Sequence, residues 1–378
     1  MRKIISILSL VAIASLLLVA CGGAAPAPSG ETVTVKETVV VTVEVTSAPA
    51  APPVVAPAGY GVTLETVKTR GNLICGVNSQ VPGFGYVAAD GSFSGFDVDY
   101  CRAVAAAIFG DPAKVEFRAV TATERFTALQ SGEIDILSRN TTWSLARDTE
   151  LGGNFVHTTF YDGQGMMVPS DSGISTLQDL EGGTICVQTG TTTELNLADV
   201  MASLGVSYTP AVFEDADSTM GAYSEGRCDA VTTDKSGLIS RRTVLADPSA
   251  HVILDATMSK EPLGPMVRHG DDQWFDIVRT VMWALISAEE FGITSSNVEE
   301  MKASENGDIR ILLGAEGDWG NTQLGVDADS LARAIAAVGN YGEIYDRYFG
   351  AGGIAFELDR GLNRLARDGG LLYSPPIK

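Results

Sequence analysis

The sequence predicts an α/β protein made of two successive units, each a mostly parallel sheet flanked by helices, followed by a helical finish. Short apolar runs rich in β-branched residues alternate with stretches of helical periodicity. The same alternation starts again after Tyr161, and the chain then runs into two long amphipathic stretches, QWFDIVRTVMWALISAEEFG and DSLARAIAAVGNYGEIYDRYFG, each read as a helix.

The elements follow in order. Residues 1–20 join Arg2 and Lys3 to an uncharged apolar run from Ile4 to Val19, the layout of a secretory signal, so the chain is expected to be exported. The run ends in LVAC, Leu18 to Cys21, which resembles a bacterial lipobox: cleavage would leave Cys21 as the N-terminus, its thiol carrying a diacylglycerol. An ordinary soluble secreted protein is the alternative. Residues 21–60 turn to Ala, Pro, Val and Thr and read as a flexible tether, although ETVTVKETVVVTVEVT alternates with the period of a strand. The remainder is long enough for one large domain or two ordinary lobes. A formal net charge of −21 argues against nucleic acid and anionic lipid headgroups as partners.

In the folded part NLICGVN, VEFRAV and IDILS read as strands of the first unit. FSGFDVDYCRAVAAAIFG reads as a turn and a helix that Asp97 caps and Gly110 ends, and TERFTALQSGE as a second helix. In the second unit GMMVP, TICVQ and CDAVTTD are strands, STLQDL is a short helix, and TTTELNLADVMASLG is a longer one.

Ligands of open α/β sheets bind outside the carboxyl ends of the strands. Three polar groups fall there: SRNTTWSLARD after IDIL, GTTTE after ICVQ, and Asp234 closing CDAVTTD. Arg147 is a forked cation suited to a carboxylate. Thr142, Thr192 and the first N–H groups of the helix after Thr191 are donors for the same anion, and Asp234 is an acceptor for a cation. A molecule carrying both a carboxylate and an ammonium satisfies all of them. No nucleophile-base pair, H-E-x-x-H, G-x-S-x-G or phosphate loop is found, and His157, His251 and His269 are scattered. Neither a metal site nor a cofactor is expected.

These stretches, with CGVN, FYDGQGMMV, GRCDAVTTD, AVGNYGEIYDRYFG and GLNRLARDGGLLYSPPIK, resemble the extracellular solute-binding proteins (family 3) of amino-acid ABC importers, and most closely the general L-amino-acid-binding members. The resemblance runs from about Leu73 to Lys378. It implies a periplasmic-binding-protein-like clamshell of type 2, with lobe 1 at 61–166 and 266–378 and lobe 2 at 167–265. The chain would cross near Met166 to Ser170 and return near Pro262 to Val267. It also implies that Arg147 binds the α-carboxylate with Thr142 and Thr192, that Asp234 takes the α-ammonium, that Asn140 helps complete the pocket, and that Asn78 faces the ligand side chain. Val81 stands where many relatives carry an aromatic ring, and Phe84 or Tyr86 is the ring expected in its place. The neutral Asn78 argues against strict lysine or arginine specificity. The expected partners are an L-amino acid, an ABC permease with its ATPase subunits, and the outer face of the cytoplasmic membrane through the Cys21 lipid, at the cell surface or in the periplasm, with the protein a monomer. The implied function is capture for import and not catalysis; a cyclohexadienyl or arogenate dehydratase-like enzyme on the same fold is the alternative.

With Cys21 assigned to lipid, four cysteines remain and allow three pairings. Keeping each pair within one lobe joins Cys75 to Cys101 and Cys186 to Cys228, against the alternative of four buried free thiols.

Overall fold

The computed structural model describes residues 61–377; the signal run, Cys21 and the whole tether lie outside the described residues. The chain runs α1 (Val62–Arg70), β1 (Leu73–Val77), β2 (Gln80–Val81), β3 (Gly85–Val87), β4 (Phe93–Ser94), α2 (Phe96–Phe109), β5 (Val115–Ala119), α3 (Arg125–Gln130), β6 (Ile136–Leu137), α4 (Leu145–Glu150) and β7 (Gly153–Phe155). It continues through β8 (Phe160–Asp162), β9 (Gln164–Pro169), β10 (Thr184–Gln188), α5 (Thr192–Leu204), β11 (Thr209–Phe213), α6 (Ala216–Ser224), β12 (Ala230–Asp234), α7 (Lys235–Arg242) and β13 (His251–Ile253). Then come β14 (Glu261–Leu263), β15 (Met266–Arg268) and the long helix α8 (Asp272–Phe291).

Two five-stranded sheets share one plan. The first has the order β5-β1-β6-β15-β7 and the second β11-β10-β12-β9-β13. In each, the first three strands are parallel and the last two pairings are antiparallel, so that only the fourth strand runs against the others. The first sheet contributes to two clusters of buried residues, of which the larger takes in α2, α8 and the helices Ser330–Val338 and Tyr341–Phe349. The second sheet is covered on its two faces by separate, smaller clusters, around Met166 and Leu197 and around Met167 and Tyr223. The strand β9 lies wholly in the second sheet, so the first crossing falls at β8, earlier than residues 166–170. β8 and β14 pair with each other and form the link between the lobes.

Local structure departs from the sequence reading in two places. Asp97 does not cap α2. The cap position is Gly95 at φ 140°, where a Cβ would lie 2.1 Å from the Phe84 carbonyl oxygen, and the N–H groups of Phe96 and Asp97 bond to the carbonyls of Gly83 and Phe84. With the first donors already taken, the Asp97 side chain turns inward and is 4% exposed. The stretch DSLARAIAAVGNYGEIYDRYFG is two helices and not one, because Gly339 leaves helical geometry and Asn340 starts the second with a reciprocal cap to Glu343.

Cys75 is bonded to Cys101, and Cys186 to Cys228, one link per lobe across 26 and 42 residues of sequence. Each closes a loop of the unfolded chain, so replacing Cys186 and Cys228 together by Ser is expected to cost about 2–4 kcal/mol of stability. Thermal unfolding with and without reductant measures it; the double variant should show little further loss on reduction at that link.

Candidate functional site

Between the lobes lies a cavity with about 760 Å³ of empty space, including the part open to solvent, which is the usual size of a small-molecule site. The carboxyl ends of both sheets deliver its lining. From the first lobe come Asn78 after β1, Arg125 at the start of α3, and Arg139, Asn140, Thr142 and Arg147 after β6. The second lobe supplies Gln188, Thr191 and Thr192 after β10, and Asp234 at the end of β12. All six residues expected to bind the ligand line this one cavity.

Each is held by local chemistry. Ser144 caps α4 by accepting from the Arg147 N–H at 3.3 Å, which sets Arg147 in the first turns of a helix. The Arg147 guanidinium donates to the Thr142 carbonyl at 3.0 Å and lies over the Phe126 ring. Burial lowers its pKa, with Glu261 and Asp234 acting in the opposite sense. Thr191 caps α5, placing Thr192 at the helix start. Asn140 is the one described non-glycine residue with positive φ, 31°, and the Asp97 carboxylate holds it there by accepting its N–H at 2.6 Å. Its side chain accepts from the Asn78 amide at 3.0 Å. Thus Asp97 shapes the binding loop, and burial pushes its own carboxyl up to about 7.

Asp234 is 7% exposed and caps no helix N–H through its side chain. Burial, then the neighbouring Asp162 and Glu261, raises its pKa well above the ordinary carboxylate range, against the pull of Arg125 and Arg147. Phe84 lines the cavity, whereas Tyr86 is 42% exposed and does not. Trp143 stacks on Phe155. Among the described residues no group of three or more His, Cys, Asp or Glu is placed to hold a metal ion.

The model for bacterial extracellular solute-binding proteins, family 3, matches residues 73–351. The chain belongs to this family. Its relatives include the general L-amino acid-binding periplasmic protein AapJ of Rhizobium johnstonii, 53% identical over 85% of this chain and 95% of the relative. They include the glutamate/glutamine/aspartate/asparagine-binding protein BztA of Rhodobacter capsulatus, 51% identical over 86% and 96%. An ABC transporter periplasmic binding protein from Brucella ovis, solved with glutathione bound, is similar in structure with a TM-score of 0.81 at 53% identity, over 84% of this chain and 99% of its own.

In this solute-binding protein, sequence reasoning passed over two groups at the cleft. Glu261, on the crossing strand β14, is 1% exposed. It accepts from the hydroxyls of Thr142, Thr192 and Ser259 and from the Asn196 amide. Both threonine hydroxyls therefore spend their single proton on Glu261 and present lone pairs to the cavity in this arrangement. Arg125, 3% exposed, reaches across the cleft to the Gly190 carbonyl at 3.2 Å, and its Nε has no partner. Nothing in the local sequence distinguished Glu261 from any other acid after a lysine; only its pairing opposite Asp162 in the link between the lobes does.

The lobes meet in this structure. Thr123 donates to Glu214 at 3.0 Å, Ser240 to the Pro82 carbonyl at 2.7 Å, and Arg241 to the Gln80 carbonyl. A small ligand held here would be enclosed from both sides.

Proposed function

We propose that this protein captures L-amino acids between its lobes and delivers them, chemically unchanged, to the membrane permease of an ABC importer. The observation that carries the reading is a buried cation and a buried acid, Arg147 and Asp234, brought from different lobes into one cavity. An α-carboxylate and an α-ammonium on one small molecule bridge the two, which ties binding to lobe closure. The names of AapJ and BztA support the same ligand class. The relatives reported are all binding proteins, and none favours the dehydratase alternative; we infer that the cleft turns nothing over. Export on the outer side of the cytoplasmic membrane follows from membership of an extracellular family. Attachment there through a Cys21 lipid is part of the proposal, and Cys21→Ala should release the protein from the cell envelope.

One observation favours a second ligand class. Arg125, Arg139 and Arg147 all line the cavity, more cations than a single carboxylate needs, and the Brucella ovis relative holds glutathione. A peptide with two carboxylates is therefore included in the test. The protein is unfolded, refolded to strip carried ligand, and screened by thermal shift against the common L-amino acids, glutathione, sugars, dicarboxylates and polyamines. A ligand that binds only the folded state raises the melting temperature. Shifts with amino acids are expected; shifts with none of them overturn the reading.

Asp234 gives the binding a pH dependence of fixed sign. In the empty cleft its raised pKa favours the neutral acid, while a ligand ammonium requires the carboxylate. Binding should therefore release a proton, and affinity should rise as pH climbs through the raised pKa and level off above it. Calorimetry of L-glutamate binding in buffers of different ionisation enthalpy reads the proton directly, and Asp234→Asn should abolish the release.

A further inference from the structure

The two crossing strands form a ribbon with an unusual outer edge. In β8 and β14 the central partners are Tyr161 and Pro262. Proline has no N–H to donate, so this pair cannot exchange ladder bonds, and the N–H and carbonyl of Tyr161 face away from β14. Both are taken by one side chain. Asn363 accepts from the Tyr161 N–H at 2.6 Å and donates to the Tyr161 carbonyl at 3.1 Å. Its amide thus does the pairing of a missing third strand. Asn363 is 4% exposed and comes from the segment after the last α-helix, beyond the residues that the family model matches.

Among the described residues, that segment is tied by its other bonds to the first lobe. The Arg360 guanidinium bonds the Glu289 carboxylate of α8 with both terminal nitrogens and lies over the rings of Tyr341 and Tyr345. Arg360 also donates from Nε to the Asn363 carbonyl at 3.1 Å, and Leu365 and Leu372 sit in the first lobe's core. On the far side of the ribbon the Pro262 carbonyl accepts from the Trp143 N–H at 2.8 Å. These bonds hold β8 on its first-lobe side; the next residue is Gly163, where a Cβ would lie 2.5 Å from the Thr257 side chain and 2.9 Å from the Ser259 carbonyl oxygen, so no larger residue fits.

We propose that Asn363 is a positioning residue for ligand capture: it pins β8 to the first lobe, so that the lobes close along one path and not over a spread of orientations. The inference rests on the reading of the cleft as a closing amino-acid site. Closure brings Arg147 and Asp234 to the same ligand only if the approach is reproducible, and a looser hinge divides the population among arrangements that bind poorly.

The test places nitroxide labels on the full chain, at Lys114→Cys in the first lobe and Ala202→Cys in the second, with Cys21→Ser to avoid a third label. Pulsed dipolar spectroscopy then gives the interlobe distance distribution with and without L-glutamate. Asn363→Ala is expected to broaden the distribution without ligand and to weaken L-glutamate binding about tenfold, the loss that follows when the binding-competent arrangement falls to about a tenth of the population. Asn363→Asp keeps the acceptor for the Tyr161 N–H and should lie between. An unchanged distribution with affinity within twofold of the parent overturns the proposal, even if the melting temperature falls, since a purely structural role predicts that result. Should the alanine variant not fold, hydrogen exchange of the Tyr161 amide in the parent decides: protection at the level of the core strands with and without ligand supports the pin, and fast exchange overturns it. A parent protein that binds no amino acid fails the reading of the cleft, while the width of the distributions still tests the hinge.

Discussion

Arg147→Ala should weaken amino-acid binding by about two to three and a half decades. The side chain is 9% exposed in the cleft, and a ligand carboxylate there would lose its paired counter-charge in a largely buried site. Removing one partner of such a buried ion pair costs about 3–5 kcal/mol, which is the stated range of affinity. Arg125 and Arg139 each give one guanidinium N–H to a carbonyl, of Gly190 and Val120, and so are held at their own places in the lining and not moved to the one that Arg147 leaves. Arg147→Lys keeps the charge but loses the fork, so an intermediate loss is expected. The unliganded fold should hardly notice either change, as the only described hydrogen bond that the guanidinium makes is to the Thr142 carbonyl. Titration calorimetry with L-glutamate and L-glutamine checks the prediction, and an affinity within threefold of the parent would refute the assignment.

Glu261→Ala is expected to have a large effect on the fold itself, about 2–4 kcal/mol, lowering the melting temperature by roughly 4–8 °C for a chain of this length. Three hydroxyls and one amide converge on this carboxylate, from Thr142 of the first lobe, Thr192 and Asn196 of the second, and Ser259 beside it. Truncation leaves these donors without their acceptor, Thr142 in a buried place and Thr192, Asn196 and Ser259 in half-buried ones. Because the donors come from both lobes, the same change should also favour the open arrangement, and the freed Thr142 and Thr192 protons become available to a ligand carboxylate. Stability and affinity are therefore expected to separate: the melting temperature of the empty protein falls, while the shift produced by saturating L-glutamate stays the same or grows. A melting temperature within 2 °C of the parent would show that Glu261 carries no such network. Glu261→Gln, which keeps one acceptor oxygen, should recover part of the loss.

The polar groups of the cleft were legible in the sequence because each is a local consequence of a strand ending. IDIL and ICVQ are read as strands from their β-branched runs, and whatever follows a parallel strand's carboxyl end lies at the ligand edge of the sheet. The helix read after Thr191 places Thr192 at that edge, whereas the short helix that Ser144 caps, and with it the setting of Arg147, is found only in the structure. Asp97 was misread for the complementary reason. An acid in a first helical turn is an ordinary cap by local rules, and only the hairpin β2–β3, arriving from elsewhere to satisfy the helix donors, frees it to hold Asn140. The single helix expected across Gly339 failed on a local signal that was present: glycine followed by asparagine and, three residues on, glutamate, the makings of a stop and a new cap.

What the amino-acid order settles for this protein is the alternation of strands and helices, their repetition after Tyr161, and the chemical character of the loops at the strand ends. Periodicity and caps act over a few residues, and no folded partner is needed to read them. Which residues meet across the cleft is decided only by the tertiary structure. Tyr161 finds Asn363 across 202 positions, Thr142 finds Glu261 across 119, and Arg125 finds Gly190 across 65. Such contacts depend on where two lobes and a returning chain come to rest, a property of packing over the whole molecule that no local pattern encodes.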